Sequence, residues 1–282
     1  MKRAWFLTGI SLFVLTVYLS GGKALLPAAA YAKKAAGPNV VNVVAKEYQY
    51  EMPDSIPAGP TLFHFTDAGT QLHHMTIVKL EQGKTLADFS TLPPGPFPTW
   101  AVFVGGPNTP LPHGGRDEDV VDLSPGNYAV ICIIPDGDGK PHMMKGMVKA
   151  LTVTPSKQAR TMPKSDLTLT LTNYHFAFST PPTAGQHTIR IVNDGTQPHE
   201  AELFHLQPGK TGEDVLKWVG DGMQGPPPGA PVAGISPEAP NKENTLLLNL
   251  SAGDYALICF VPDAKDGKPH AAHGMIYNFK VS

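Results

Sequence analysis

Residues Cys259 to Met275 read C-F-V-P-D-A-K-D-G-K-P-H-A-A-H-G-M. A thiol, two imidazoles and a thioether follow one another in a single short stretch. Cys132 to Met147 reads C-I-I-P-D-G-D-G-K-P-H-M-M-K-G-M, a near copy. The two stretches hold the only two cysteines of the 282 residues, at the same place in each. A stretch that recurs with its chemistry intact points to a duplicated structural unit.

The duplication extends outward in both directions. Val40–Ser156 and Leu167–Ser282 match almost throughout. Tyr48-Gln49-Tyr50 answers Tyr174-His175-Phe176, and Ala58-Gly59 answers Ala184-Gly185. Gly69-Thr70-Gln71-Leu72-His73 answers Gly195-Thr196-Gln197-Pro198-His199, and Gly83-Lys84-Thr85 answers Gly209-Lys210-Thr211. Leu123-Ser124-Pro125-Gly126-Asn127-Tyr128 answers Leu250-Ser251-Ala252-Gly253-Asp254-Tyr255. The sequence therefore predicts two domains, 39–156 and 165–282, each of about 120 residues, an ordinary domain size. A polar, turn-rich linker is expected at Pro155–Lys164.

Within each unit the pattern is that of short strands. Apolar or alternating runs between Gly, Pro and Asp turns occur at 40–45, 61–66, 75–80, 119–123, 128–133 and 147–153. The second unit repeats them at 167–172, 187–193, 201–206, 245–250, 255–260 and 275–281. The expected class is all-β, with two tandem Greek-key sandwich or barrel domains. Short helices are expected at 85–90 and 212–219. The proline-rich segments 93–98 and 226–231 are expected to be surface loops, because proline cannot donate to a central ladder.

Composition agrees. The 29 prolines and 28 glycines favour turns over long helices, and 41% hydrophobic residues suffice for real cores. Net charge is -2 and pI about 6.6, which leaves no basic footprint for nucleic acid.

The N-terminus reads as a targeting segment. Lys2 and Arg3 precede an apolar run from Ala4 to Leu19, and small residues follow to Ala30-Tyr31-Ala32. That is a charged, an apolar and an A-x-A region in order, so residues 1–32 are expected to be a signal peptide. The run is shorter than the roughly 20 residues a spanning helix needs. An uncleaved anchor is the alternative, and no membrane contact is expected beyond this segment. Its removal leaves 19 basic against 24 acidic side chains, a net charge of -5. The expected location is the periplasm or the outside of the cell.

The candidate ligands share one register. His73, Cys132, His142 and Met147 form one set; His199, Cys259, His270 and Met275 form the other. The first histidine precedes the cysteine by 59 and 60 positions, the second follows it by 10 and 11, and methionine follows by 5 in both. Two histidines and a cysteine in a trigonal plane, with a weak axial methionine, make an electron-transfer copper site. His74 aligns with Glu200 and His273 with Lys145, so neither is read as a ligand. Met143 and Met144 align with Ala271 and Ala272 and are read as packing residues. His64, His113, His175, His187 and His205 are read as surface or core residues.

Both units resemble cupredoxins, the blue-copper family, over nearly all of residues 40–282. The order histidine, then cysteine, histidine and methionine near the end of the unit carries the resemblance. It implies up to two type 1 coppers per chain, unidentified redox partner proteins, and His142 and His270 as solvent-near electron ports. The long cysteine–histidine loop is similar to that of the two-domain copper nitrite reductases, which raises an enzyme. The residues argue against it. The neighbours of the cysteines are Ile131, Ile133, Ile258 and Phe260, where a catalytic copper would need histidine, and no His-x-His pair occurs. Four readings stand at this point: a one-electron carrier, a copper store, donor or sensor, a copper oxidoreductase using an oligomer interface, and a metal-free protein with the two cysteines bridged.

Overall fold

The computed structural model describes residues 36–92 and 97–282; the expected signal segment, 1–32, and residues 93–96 lie outside the described residues. Among the described residues no helix is long and apolar enough to cross a membrane.

The first repeat forms β1 (Asn39–Lys46), β2 (Gln49–Glu51), β3 (Ser55–Pro57), β4 (Gly59–Asp67), β5 (Thr76–Leu80), β6 (Ala101–Gly105), β7 (Gly115–Leu123), β8 (Gly126–Ile131) and β9 (Val148–Thr154), with helix α1 (Leu86–Ser90). The second forms β10 (Leu167–Thr172), β11 (His175–Phe178), β12 (Gly185–Asn193), β13 (His199–Leu206), β14 (Gly229–Glu238), β15 (Glu243–Leu250), β16 (Gly253–Ile258) and β17 (Ile276–Val281), with helix α2 (Gly212–Gly220). Each expected strand and both expected helices form within a few residues of the predicted bounds.

The alternation of buried and exposed residues along β1 puts Val41, Val43 and Ala45 inside. They meet Phe63 and Phe65 of β4 and Val121 of β7 from the same sheet, and Ile77, Val130 and Leu151 from the facing one. The second repeat builds an equivalent core from Leu169, Leu171, Ile189, Ile191, Leu203, Leu246 and Leu257. The fold is all-β, with two sheets closed over apolar cores.

Two features depart from expectation. Both sheets run through both repeats. One is ordered β11-β10-β12-β15-β7-β4-β1-β2, the other β17-β16-β13-β14-β6-β5-β8-β9-β3. The repeats join where like strand meets like: β15 pairs antiparallel with β7, and β14 with β6. Asp119 lies opposite its own counterpart Leu246, and Pro107 bridges antiparallel to its counterpart Ile235. The arrangement is that of a twofold dimer fused into one chain.

The second departure corrects the reading of 226–231 as a loop. Its last three residues open β14, an interior strand, and Pro231 lies opposite Phe204. The ladder tolerates proline here because the β13 register shifts between Leu203 and Phe204, and β6 reaches β14 only at Glu238.

Candidate metal centre

Each site is assembled from three places in its repeat. The first histidine ends a loop shaped by a side chain at the close of a strand. Asp67 accepts from the N–H of Gly69 at 3.0 Å and of His73 at 2.9 Å. Asn193, its counterpart, accepts from Gly195 N–H at 2.9 Å and donates to the Gln197 carbonyl at 2.9 Å. The glycine is required by space. A Cβ on Gly69 would stand 2.7 Å from His73 Nε2, and one on Gly195 2.6 Å from His199 Nε2, closer than real side chains come. Gly195→Ala should therefore push the His199 ring out of place and weaken metal binding at that site by at least about tenfold, as displaced supporting groups do. A metal titration against wild type checks this.

Cysteine, second histidine and methionine come from one connection. Cys132 follows β8, and His142 opens a single 3₁₀ turn, His142–Lys145. Pro141 at φ -55° starts that turn, and Gly146 at φ 103°, a left-handed conformation, ends it. Backbone bonds tie the parts together: Met143 N–H to Cys132 O at 2.8 Å, and Met147 N–H to His142 O at 3.1 Å. The second repeat reproduces them with Ala271 to Cys259 at 2.8 Å and Met275 to His270 at 3.1 Å.

The donors converge. His73 Nδ1 lies 3.1 Å from His142 Nδ1, and Cys132 Sγ lies 3.5 Å from His142 Nδ1. In the second site His199 and His270 Nδ1 are 2.9 Å apart, with Cys259 Sγ 3.4 Å from His270 and 3.9 Å from His199. A triangle with these three sides has a circumradius of about 2 Å, the length of a metal–nitrogen bond. All six residues are fully buried.

The groups outside the trio decide which nitrogens face inward. His142 Nε2 lies 3.1 Å from Gln71 Oε1, and His199 Nε2 lies 3.1 Å from Asn173 Oδ1. His73 Nε2 faces Glu47 at 3.8 Å, and His270 Nε2 faces Asp263 at 3.7 Å. In each trio one ring, His142 or His199, thus has an oxygen partner that favours the proton on Nε2 and leaves its Nδ1 bare, whereas His73 Nε2 and His270 Nε2 have no hydrogen-bond partner. Burial also keeps the rings neutral, with His73 and His199 lowered to about 4. The two Nδ1 atoms of each trio, about 3 Å apart beside a sulfur in a dry site, are placed to share a proton or a cation between them. Burial pushes the Cys132 thiol up to about 12, and Cys259 well above its usual range, so a metal entering either site displaces a proton.

The structure brings together His73, Cys132 and His142, and separately His199, Cys259 and His270. Met147 and Met275 are buried in the same cores as the cysteines. Both cysteines are free and buried, against the bridged reading. His142 and His270 are not solvent-near: both are fully buried, with the rings of Tyr48 and Tyr174 edge-on at 5.3 and 5.5 Å. Met143 packs in the core as expected, whereas Met144 is 60% exposed.

Sequence reading missed the work of His74 and Glu200. His74 Nε2 accepts the N–H of Ile133 at 2.8 Å, and Glu200 Oε1 that of Phe260 at 2.7 Å. Both clamp the backbone one residue beyond the cysteine. The signal was present in their alignment: a polar acceptor follows the first histidine in both repeats.

No family model and no curated protein matches the chain. Among solved structures it is similar to an auracyanin from the photosynthetic bacterium Roseiflexus castenholzii, at 21% identity over 43% of this chain and 100% of that one, TM-score 0.31. It is also similar to a multicopper oxidase (14%, 86% and 88%, 0.27) and to the copper nitrite reductase of Nitrosomonas europaea (14%, 88% and 94%, 0.24). At these TM-scores the donor atoms themselves, and not the likenesses, carry the reading of the site.

Proposed function

We propose that the chain is an exported copper protein that holds one type 1 copper in each repeat and passes single electrons between partner proteins. The observation that carries this is the pair of buried His-Cys-His trios, each with two inward-facing Nδ1 atoms and a sulfur around one point. Soft thiolate with two imidazoles selects copper, and Met147 and Met275 would supply the weak axial thioether. Copper held this way supplies a one-electron couple.

The residues supply the rest. Buried trios keep water from the metal. Ligands fixed by backbone bonds, by Gly69 and Gly195 and by the Gln71 and Asn173 carbonyls cannot move far between oxidation states, which favours fast exchange. The same cysteine neighbours that argued against an enzyme in the sequence, Ile131, Ile133, Ile258 and Phe260, keep each thiolate in apolar surroundings.

Adding Cu(II) to the metal-free protein should produce intense thiolate-to-copper visible absorption and two coppers per chain by metal analysis. A colourless complex with both thiols shown free would overturn the reading.

The two sites should differ in potential. Glu47, held ionised at about 2 chiefly by the N–H of Thr70, stands beside His73, where Asn173 stands beside His199. A carboxylate near the metal favours the more positive state. Glu47→Gln should raise the potential of the first site by tens of millivolts, the order expected for a partly exposed charge 3.8 Å from a ligand ring, and leave the second unchanged. Spectroelectrochemistry resolves the two.

A further inference from the structure

Beside the second trio lies a cluster that neither the resemblance nor the copper reading uses: Asp263, Asp266 and His273, each offering a ligand atom within 4.8 Å of the others. Asp263 is buried, whereas Asp266 and His273 reach solvent.

The two repeats treat this position differently. In the first, Lys145 places its ammonium 2.5 Å from Asp136 and 3.1 Å from Asp138. Asp136 and Asp138 are the counterparts of Asp263 and Asp266, and Lys145 of His273. The first loop is thus built around a cation that the protein itself supplies. In the second loop that cation is gone. An imidazole stands in its place, with His273 Nε2 3.2 Å from Asp266 Oδ1.

Asp263 accepts from the Tyr174 hydroxyl, the Gln197 amide and the N–H of Lys265. Asp266 accepts from the N–H of Lys268. A carboxylate has about four lone-pair sites, so three hydrogen bonds leave Asp263 able to accept a cation. Lys268 lies 3.7 Å from Asp266 and is 68% exposed, a weak competitor. A further group faces the cluster from inside: His270 Nε2 is fully buried, has no hydrogen-bond partner, and lies 3.7 Å from Asp263 Oδ2.

We infer that Asp263, Asp266 and His273 form a second, outer metal site that takes a divalent first-row cation of the zinc or copper(II) class. Two carboxylates and an imidazole suit such ions, with water completing the coordination. The His270 ring of the inner trio lies 3.7 Å from Asp263 of this site. It stands on this loop's own residues and does not require copper in the trios.

The test is equilibrium dialysis of the full chain against Zn²⁺ followed by metal analysis. Wild type should hold one more zinc per chain than His273→Lys, which copies the first repeat at an exposed position. Asp266→Asn, which keeps the side-chain shape, should also lose that ion. The converse change, Lys145→His, should add one ion by opening the first loop in the same way. Zinc taken by the inner trios is common to all four proteins and cancels. Equal stoichiometry and affinity in wild type, His273→Lys and Asp266→Asn would overturn the site. A failure of the copper reading would show instead as a missing visible band, with the zinc difference intact.

Discussion

Cys132→Ser should remove about half of the visible absorption of the copper-loaded protein, Cys259→Ser the other half, and the double variant all of it. The band requires a copper–thiolate bond, and each trio has one sulfur donor besides its methionine. Serine fits the fully buried cavity left by cysteine, so the fold should survive. Its hydroxyl does not ionise at neutral pH, and a neutral oxygen is a poor ligand for Cu(I). Copper affinity at the altered site should fall by more than about 100-fold, beyond the range of losses measured for supporting groups. Absorption and metal content per chain, recorded together, assign each coloured site. Full colour in both single variants would rule out a cysteine-ligated copper.

Raising the pH from 7 to 9, where the buried histidines are neutral in both the folded and the unfolded chain, should destabilise the protein through the junction of the repeats. Asp119 is fully buried there with neither carboxylate oxygen hydrogen-bonded, and Glu238 is fully buried with one oxygen unpaired. Burial raises both well above the carboxylate range, and pushes Asp117 up to about 7. These groups hold protons in the folded chain that they release when unfolded. Their contribution is complete below the unfolded value near 4 and is lost as pH rises to the folded one, by about 7 for Asp117 and beyond that for Asp119 and Glu238. A group that still holds its proton loses about 1.4 kcal/mol of its contribution per pH unit. Denaturant midpoints measured across this range should fall steadily. Asp119→Asn, neutral at every pH, should flatten the curve and be more stable than wild type at pH 9. A flat wild-type profile would show that these carboxyls are ionised in the folded chain.

Much of this was legible beforehand because the chain says it twice. Single methionines and histidines carry little signal, but the shared spacings picked His73 over His74 and His270 over His273, and the structure converges on those rings. Strands with alternating burial, such as β1 and β10, announced themselves. What stayed hidden depends on how distant parts meet. Nothing local to Pro231 reveals that a register shift would admit it to an interior strand. The burial of His142 comes from Tyr48, far away in the chain. Nothing local to Asp119 or Glu238 shows that their carboxyls are buried where the two repeats meet.

That junction has a consequence for either half alone. Its backbone pairing is self-complementary, since each strand meets its own counterpart. The side chains are not. Cut free, residues 39–156 would expose β6 and β7 as open edges, which invite pairing with another chain. Closing them on a second copy would set Asp119 against Asp119, an opposition that destabilises a sheet. Residues 165–282 would set Leu246 against Leu246 and should self-associate. The asymmetry at one position thus steers each half toward the other, and the covalent tether holds the right partner at high effective concentration. A chain assembled this way has no need to find its mate in solution.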